Sequence, residues 1–173
     1  MGQDQWSPGS FVPTFEHFVA TESVALQEFA YLITGNREDA LDAVQDALLG
    51  AYRHWDKVAA GGKAGAYVRR SIANANVSRW RKTRKETTWE DMSRVVEGGA
   101  AMPSADGVVD VMWVAEMCDQ LPLKQRTAVV MRFYEDASFE EIGDVLGCSE
   151  ATARSHLHRG VAAMRKNLIK GVS

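Results

Sequence analysis

Apolar residues recur at intervals of three and four along nearly the whole chain, and this spacing constrains the fold more than any other feature. Such intervals place side chains on one face of a helix, whereas a half-buried strand needs strict alternation. One run spans residues 25–33, a second spans 41–55 and a third helix is expected over about 64–85. No alternating segment competes with these runs. The chain is therefore predicted to be all-α.

The pattern breaks once, in the middle of the chain. Residues 98–107 read Gly-Gly-Ala-Ala-Met-Pro-Ser-Ala-Asp-Gly, which is small, polar and typical of a flexible linker. Helical spacing resumes at Val111. The sequence thus predicts two small helical domains, over 12–86 and 112–173, joined by a flexible linker over 87–111.

The second domain carries the pattern of a helix-turn-helix. Ser138, with Glu141 three residues later, forms a capping box, and Gly147 suits the left-handed residue that ends a helix. Ser149 then caps a last helix, whose apolar stripe from Leu157 to Leu168 is expected to be buried. A plain hairpin of two helices is the alternative. Helices are predicted over 123–134, 139–146 and 150–169. Near its start the last helix exposes side chains that suit base edges and phosphates, namely Thr152, Arg154, Ser155, His158 and Arg159.

Charge is segregated along the chain. Residues 1–60 hold three basic and nine acidic side chains, whereas residues 61–86 hold eight basic and one acidic. Residues 87–122 hold one basic and seven acidic side chains, and residues 123–173 hold eight basic and six acidic. The formal net charge of −3 argues against nucleic-acid binding only if it is taken as an average. Alternating blocks of this kind indicate separate surfaces for different partners, at least one of them polyanionic.

Two of these blocks supply candidate binding residues. The second helix has an acidic face. This face lies opposite the apolar positions of the helix, which include Leu41 and Tyr52. The third helix mixes cations that neutralise phosphates with aromatic rings that stack on unpaired bases, although Trp80 could equally be a core residue. The acidic set is Asp39, Asp42, Gln45 and Asp46, and the basic set is Asn74, Arg79, Trp80, Arg81, Lys82, Arg84 and Lys85.

Several classes of protein are excluded or disfavoured. Cys118 and Cys148 lie thirty residues apart without the spacing of a metal site, and the acidic helix lacks a second carboxylate cluster. No stretch approaches the roughly 20 apolar residues that cross a bilayer, and the N-terminus does not read as a signal peptide. We therefore expect a cytoplasmic protein with no metal, no cofactor, no small-molecule substrate and no catalytic set.

In this order and at this length, these features resemble a bacterial RNA polymerase sigma factor of the extracytoplasmic-function type, which keeps only regions 2 and 4 of the sigma-70 family. The strings 35–40 and 42–47 resemble regions 2.1–2.2, and 66–85 resembles regions 2.3–2.4. The strings 121–126 and 138–159 resemble region 4.

The resemblance implies a specificity subunit of RNA polymerase rather than an enzyme. It implies that the acidic set, with Asp42, Gln45 and Asp46 at its centre, docks on the β′ clamp of core polymerase, and that region 4 meets the β flap. Asn74 and the basic set would open and hold the −10 element of promoter DNA. The implied readers of the −35 element are Ser149, Thr152, Arg154, Ser155, His158 and Arg159. An anti-sigma factor is a family expectation.

Two other interpretations remain open from the sequence alone. A stand-alone helix-turn-helix regulator would bind an operator directly, but it leaves residues 38–85 without a role. A regulatory decoy would hold core polymerase without opening DNA.

Overall fold

The computed structural model describes the backbone of residues 12–86 and 108–170, and side chains over 12–82 and 114–169. This described part is helical and contains no strand, which confirms the all-α prediction. Its helices are α1 (Phe15–Thr34), α2 (Arg37–Tyr52), α3 (Trp55–Ala60), α4 (Ala64–Glu86), α5 (Val108–Asp119), α6 (Leu123–Tyr134), α7 (Phe139–Leu146) and α8 (Glu150–Lys170).

Helices α1 to α4, which belong to the predicted first domain, pack around a core of long apolar side chains. Thr14 begins α1, because its Oγ1 accepts a hydrogen bond from the His17 backbone N–H at 3.2 Å. Gly35 ends α1 at a φ of 70°, and Asn36 then caps α2 through its side chain. Against these helices α4 buries its apolar stripe. The fully buried side chains of this core include Leu26, Phe29, Ile33, Val68, Ile72 and Val77.

Helices α7 and α8, which belong to the predicted second domain, follow the predicted helix-turn-helix. Ser138 and Glu141 form both hydrogen bonds of the capping box that begins α7. Gly147 ends α7 at a φ of 65°. Ser149 Oγ accepts from the Thr152 backbone N–H at 3.2 Å and so caps α8. These three expectations are confirmed, but the last turn of α8 differs, since Leu168 is exposed.

Other differences concern where helices begin and which side chains face inward. Helix α1 begins at Phe15 rather than near residue 25, and α5 begins at Val108, inside the predicted linker. The rest of that linker, 87–107, lies outside the described residues. Leu41 and Tyr52 are exposed, because α2 turns the small residues Ala40, Ala43, Val44, Ala47 and Ala51 inward and approaches α1 and α4 closely.

The two predicted domains pack against each other and share one continuous buried cluster. Helices α5 and α6 contact α1, and α7 contacts α4. The guanidinium of buried Arg126 donates to the Cys118 carbonyl at 2.8 Å and to Asp119 at 2.7 Å. A Cβ added at Gly35 would lie 2.6 Å from Arg126 Nη1, so the α1–α2 turn sits directly on this group.

Candidate nucleic-acid interface

The start of α8 presents the predicted reading residues to solvent. Its polar side chains Thr152, Arg154, Ser155, His158 and Arg159 are all exposed, while Ala153 and Leu157 between them are buried. Two of the small polar groups are engaged within the helix. Ser149 and Thr152 hydroxyls lie 2.9 Å apart, and Ser155 Oγ donates to the Ala151 carbonyl at 3.1 Å. The basic and imidazole side chains are therefore the groups best placed to reach outward.

Arg154 is held in one orientation by two neighbours. Its Nη2 lies 3.0 Å from Glu150 Oε1, one helical turn earlier. Its guanidinium carbon lies 4.2 Å from the centre of the Phe139 ring, in the range of a cation–π contact. The sequence reasoning did not single out Phe139. The available signal was an aromatic residue directly after the Ser138 cap, at the first position of the preceding helix.

The two histidines of α8 lie on different sides of the helix, as their spacing predicts. His158 is exposed, whereas His156 is half-buried with its Nδ1 buried and without a hydrogen-bond partner. Burial lowers the pKa of His156, and the nearby cations Lys124 and Arg159 lower it further. His156 is therefore a neutral packing residue near neutral pH.

The basic set on α4 does not share one face. Asn74 and Arg81 are seven residues apart, so they project from the same side of the helix, and both are exposed. Arg79 projects elsewhere, and its Nη1 makes a 2.9 Å ion pair with Asp39 Oδ1 on α2. Lys82 is exposed and Trp80 is half-buried. The side chains of Arg84 and Lys85 lie outside the described residues.

The acidic set on α2 is largely available to a partner. Asp42, Gln45 and Asp46 are exposed along one face of the helix. Asp39 differs, because it pairs with Arg79, a residue predicted for another site. The structure thus joins one member of the predicted polymerase-binding set to one member of the predicted DNA-binding set.

Two other classes of protein, metal-binding and membrane-spanning, can be compared with the described residues. These residues bring together no group of three or more His, Cys, Asp or Glu side chains that could hold a metal ion. None of the described helices is both long and apolar enough to cross a membrane.

Comparison with known protein families gives two matches, one in each half of the chain. The family model of Sigma-70 region 2 matches residues 19–86, and that of Sigma-70 region 4 matches residues 112–164. The RNA polymerase sigma-E factor of Streptomyces avermitilis is 33% identical, covering 89% of this chain and 84% of the relative. The ECF RNA polymerase sigma factor SigW of Bacillus subtilis is 30% identical, covering 83% and 82%.

Two solved structures have a similar fold. The sigma factor RpoE of Bartonella quintana, solved with the anti-sigma factor NepR, aligns with a TM-score of 0.69 and 25% identity, covering 89% of this chain and 96% of that one. CnrH, solved with the cytosolic domain of CnrY, aligns with a TM-score of 0.58 and 21% identity, covering 92% and 89%, which shows the fold alone.

These matches exclude one of the interpretations that the sequence left open. A stand-alone helix-turn-helix regulator accounts only for the second domain, and the region 2 match over the first domain shows that this alternative is wrong. The chain belongs to the sigma-70 family of RNA polymerase sigma factors, in its extracytoplasmic-function group, and acts in promoter-directed transcription initiation.

Proposed function

We propose that the two domains, over residues 12–86 and 112–173, divide the work of promoter recognition. The exposed basic start of α8, directly after the glycine turn of the helix-turn-helix, carries the proposal. Such a helix enters the major groove with its first turns. In this chain those turns present Arg154, His158 and Arg159, which we assign to the −35 element together with Ser149, Thr152 and Ser155.

Region 2 has two tasks in this proposal. The exposed face of α2, with Asp42, Gln45 and Asp46, docks on the β′ clamp of core polymerase. Carboxylates on an exposed face steer a basic partner and contribute to specificity more than to raw affinity. Asn74 and Arg81 on α4 contact the −10 element after melting, and the remaining cations of that helix neutralise neighbouring phosphates.

The first experiment tests the docking face by charge reversal. Full-length chain carrying Asp42→Arg and Asp46→Arg is mixed with core polymerase, and run-off transcription is measured on promoters selected from random DNA with the wild-type holoenzyme. We expect this double variant to lose co-elution with core polymerase and to yield no run-off transcript. Glu16→Arg with Asp56→Arg is the matched control, because these carboxylates are also exposed but lie outside α2. Equal transcription by both double variants would contradict the docking assignment.

The second experiment tests the −35 assignment in the same holoenzyme. Arg154→Ala with Arg159→Ala is expected to leave co-elution with core intact. It should lower transcription from promoters that carry the selected −35 sequence, and have little effect where that sequence is scrambled. Direct base contacts of this kind are worth about 1–3 kcal/mol each. Equal losses of transcription on both templates would show that these arginines do not read the −35 sequence.

The remaining assignments follow from the family. We propose a subunit without its own catalytic step, located with RNA polymerase in the cytoplasm. The similar RpoE structure contains an anti-sigma factor, and we propose that this chain is also held by one. Co-purification of full-length chain with the products of adjacent genes tests this proposal, and purification from the native host without any such partner would count against it.

A further inference from the structure

The carboxylate of Asp39 is engaged within region 2. Arg79 Nη1 of α4 donates to Asp39 Oδ1 at 2.9 Å. Asp42 and Asp46 lie further along α2 and are exposed. Because a cation already compensates its charge, Asp39 attracts a basic partner less than these two carboxylates do. The acidic set thus contains one residue whose observed partner belongs to the basic set of α4.

The turn between α1 and α2 fixes the backbone beneath Asp39. Asn36 Oδ1 accepts a hydrogen bond from the Asp39 backbone N–H at 3.1 Å and so caps α2. The Asn36 backbone N–H in turn donates to Thr34 Oγ1 at 3.4 Å. A carboxylate at this third helical position often completes a cap by bonding back to the capping residue. Here Thr34 supplies that bond, which leaves the Asp39 carboxylate for Arg79.

The backbone beneath Arg79 is tied to the same part of the structure. Asn76 Nδ2, about one turn earlier on α4, donates to the Ile33 carbonyl near the end of α1 at 3.2 Å. Ile33 is fully buried, and Val77, next to Asn76, is buried as well. Both members of the ion pair therefore project from backbone that packing and hydrogen bonds hold in place. Precise positioning of a side chain requires such support.

The exposure of the pair indicates what it contributes. The side chains of Arg79 and Asp39 are 40% and 49% exposed. An ion pair this exposed adds little to the stability of a fold, because water screens it. An arginine side chain, however, has many rotamers, and ordering it in advance lowers the cost of a later contact. Its guanidinium is planar with donors in a rigid fork, so holding Nη1 also restricts the direction of the plane. The main consequence of the pair is therefore a pre-oriented Arg79.

We propose that Asp39 is a positioning residue for Arg79 and acts in promoter binding rather than in docking on core polymerase. The carboxylate holds the guanidinium at the junction of α2 and α4, so that Arg79 contacts a phosphate beside the −10 element without first being ordered. This inference rests on the proposed function, which assigns that phosphate contact to Arg79. Asp39 itself contacts neither DNA nor polymerase.

Positioning and simple charge predict opposite effects on DNA binding. Removing a carboxylate near a DNA-binding surface raises the affinity for DNA if only charge matters, because the phosphates meet less repulsion. If Asp39 orients Arg79, Asp39→Ala instead lowers the affinity, by about three- to tenfold for one ordered arginine. Docking on polymerase predicts a third result, which is a loss of affinity for core polymerase.

The test uses holoenzyme assembled from core polymerase and the full-length chain. Its affinity is titrated on a fluorescent fork promoter, whose −35 part is duplex and whose −10 part is single-stranded, with the sequence selected by the wild-type holoenzyme. Affinity for core polymerase is measured separately, by competition with labelled wild-type chain. The variants are Asp39→Ala, Arg79→Ala and their combination. Glu38→Ala is the matched control, because it removes an exposed carboxylate from the same first turn of α2.

We expect Asp39→Ala to bind the fork promoter about three- to tenfold more weakly than Glu38→Ala and to keep its affinity for core polymerase within about twofold. In the Arg79→Ala background, Asp39→Ala should have no further effect on fork binding, because a residue that acts through another is not additive with it. A destabilised chain would instead lower the fraction of active holoenzyme and leave the dissociation constant for the fork unchanged.

Three results would overturn the proposal. They are fork binding by Asp39→Ala as tight as by Glu38→Ala, an equal loss in the wild-type and Arg79→Ala backgrounds, and a loss of affinity for core polymerase. If Arg79→Ala does not weaken fork binding, the phosphate contact assigned to Arg79 and this inference fail together. Failure of the proposed function as a whole is distinguishable, since the wild-type holoenzyme would then bind selected and scrambled −10 strands equally.

Discussion

Removal of Arg69 tests how much the polar contacts between the two domains contribute to stability. Its side chain and that of Glu135 are only 15% and 11% exposed, and the two charges meet at 2.8 Å. The perturbation is Arg69→Met, alone and combined with Glu135→Gln. Methionine keeps much of the buried stem of arginine and removes the charge, so the comparison isolates the ion pair.

The magnitude follows from the partial burial of the pair. Two unit charges about 4 Å apart attract by about 4 kcal/mol at an effective dielectric constant of about 20, and desolvation offsets part of this. Arg69 also retains Glu22 as a second partner. We therefore expect a coupling energy of about 1.5–3 kcal/mol between Arg69 and Glu135. The exposed pair Arg154–Glu150, at 52% and 58% exposure, should give only about 0.3–0.5 kcal/mol.

The pH dependence gives a second and independent readout. Burial raises the pKa of Glu135 above its ordinary 4.5, and Arg69 opposes that rise. Without Arg69 the pKa of Glu135 rises further. The Glu135 carboxyl of the folded chain then keeps a proton at pH values where the same carboxyl in the unfolded chain has already released it. Stability of Arg69→Met should therefore fall as the pH rises above 4.5, over a wider range than in the wild type.

Urea unfolding of the full chain at pH 5 and pH 8 measures both quantities, using both single variants and the double variant of each pair. Glu135→Gln should remove the extra pH dependence that Arg69→Met introduces. A coupling energy no larger than that of Arg154–Glu150, or equal stability of Arg69→Met at the two pH values, would show that the Arg69 contact is not an effective buried ion pair.

Three further variants probe the helix-turn-helix. Ser138→Ala removes the acceptor for the Glu141 backbone N–H and should lower the free energy of unfolding by about 1 kcal/mol in urea titrations. Phe139→Leu removes the ring beneath Arg154 and should weaken −35-dependent transcription, whereas Phe139→Tyr should retain it; equal activity of both would exclude a positioning role. The wild type should lose stability as the pH falls through 6.5, because the unfolded chain binds a proton that His156 in the folded chain binds less readily. His156→Asn should abolish this loss of stability.

Helix boundaries were predictable where the sequence contains strong signals. Helices α6 and α7 have the predicted bounds because Pro122, Ser138 and Gly147 mark their ends. The start of α1 was missed, although Thr14 is a capping residue and Phe15, Phe18 and Val19 follow it at helical spacing, because the polar residues 21–23 interrupt the apolar pattern before Leu26. Leu41 and Tyr52 were misplaced since a hydropathy pattern rewards large apolar residues, whereas close helix packing here selects alanines.

The exposed faces of the sites were predictable, but their contacts were not. Periodicity placed Asp42, Gln45 and Asp46 on one face of α2, and it placed Arg154 near the start of α8. It does not show what covers a face. Arg79 and Asp39 are 40 residues apart, and Arg81 and Leu146 are 65 apart. Such pairs depend on how helices cross, which the spacing within one helix does not encode.

The same contacts change how the basic block should be interpreted. Residues 61–86 hold eight basic side chains, yet Arg69, Arg70 and Arg81 each engage a carboxylate or carbonyl of the same chain. Engaged in this way, these cations are less available to phosphates, so DNA affinity should be lower than their number suggests. Binding to single-stranded DNA falls with salt by a logarithmic slope of about 0.7 per phosphate neutralised. Arg81→Ala should therefore reduce this slope by less than Lys82→Ala, because Arg81 already donates to the Leu146 carbonyl whereas Lys82 is exposed; equal reductions would contradict this reasoning.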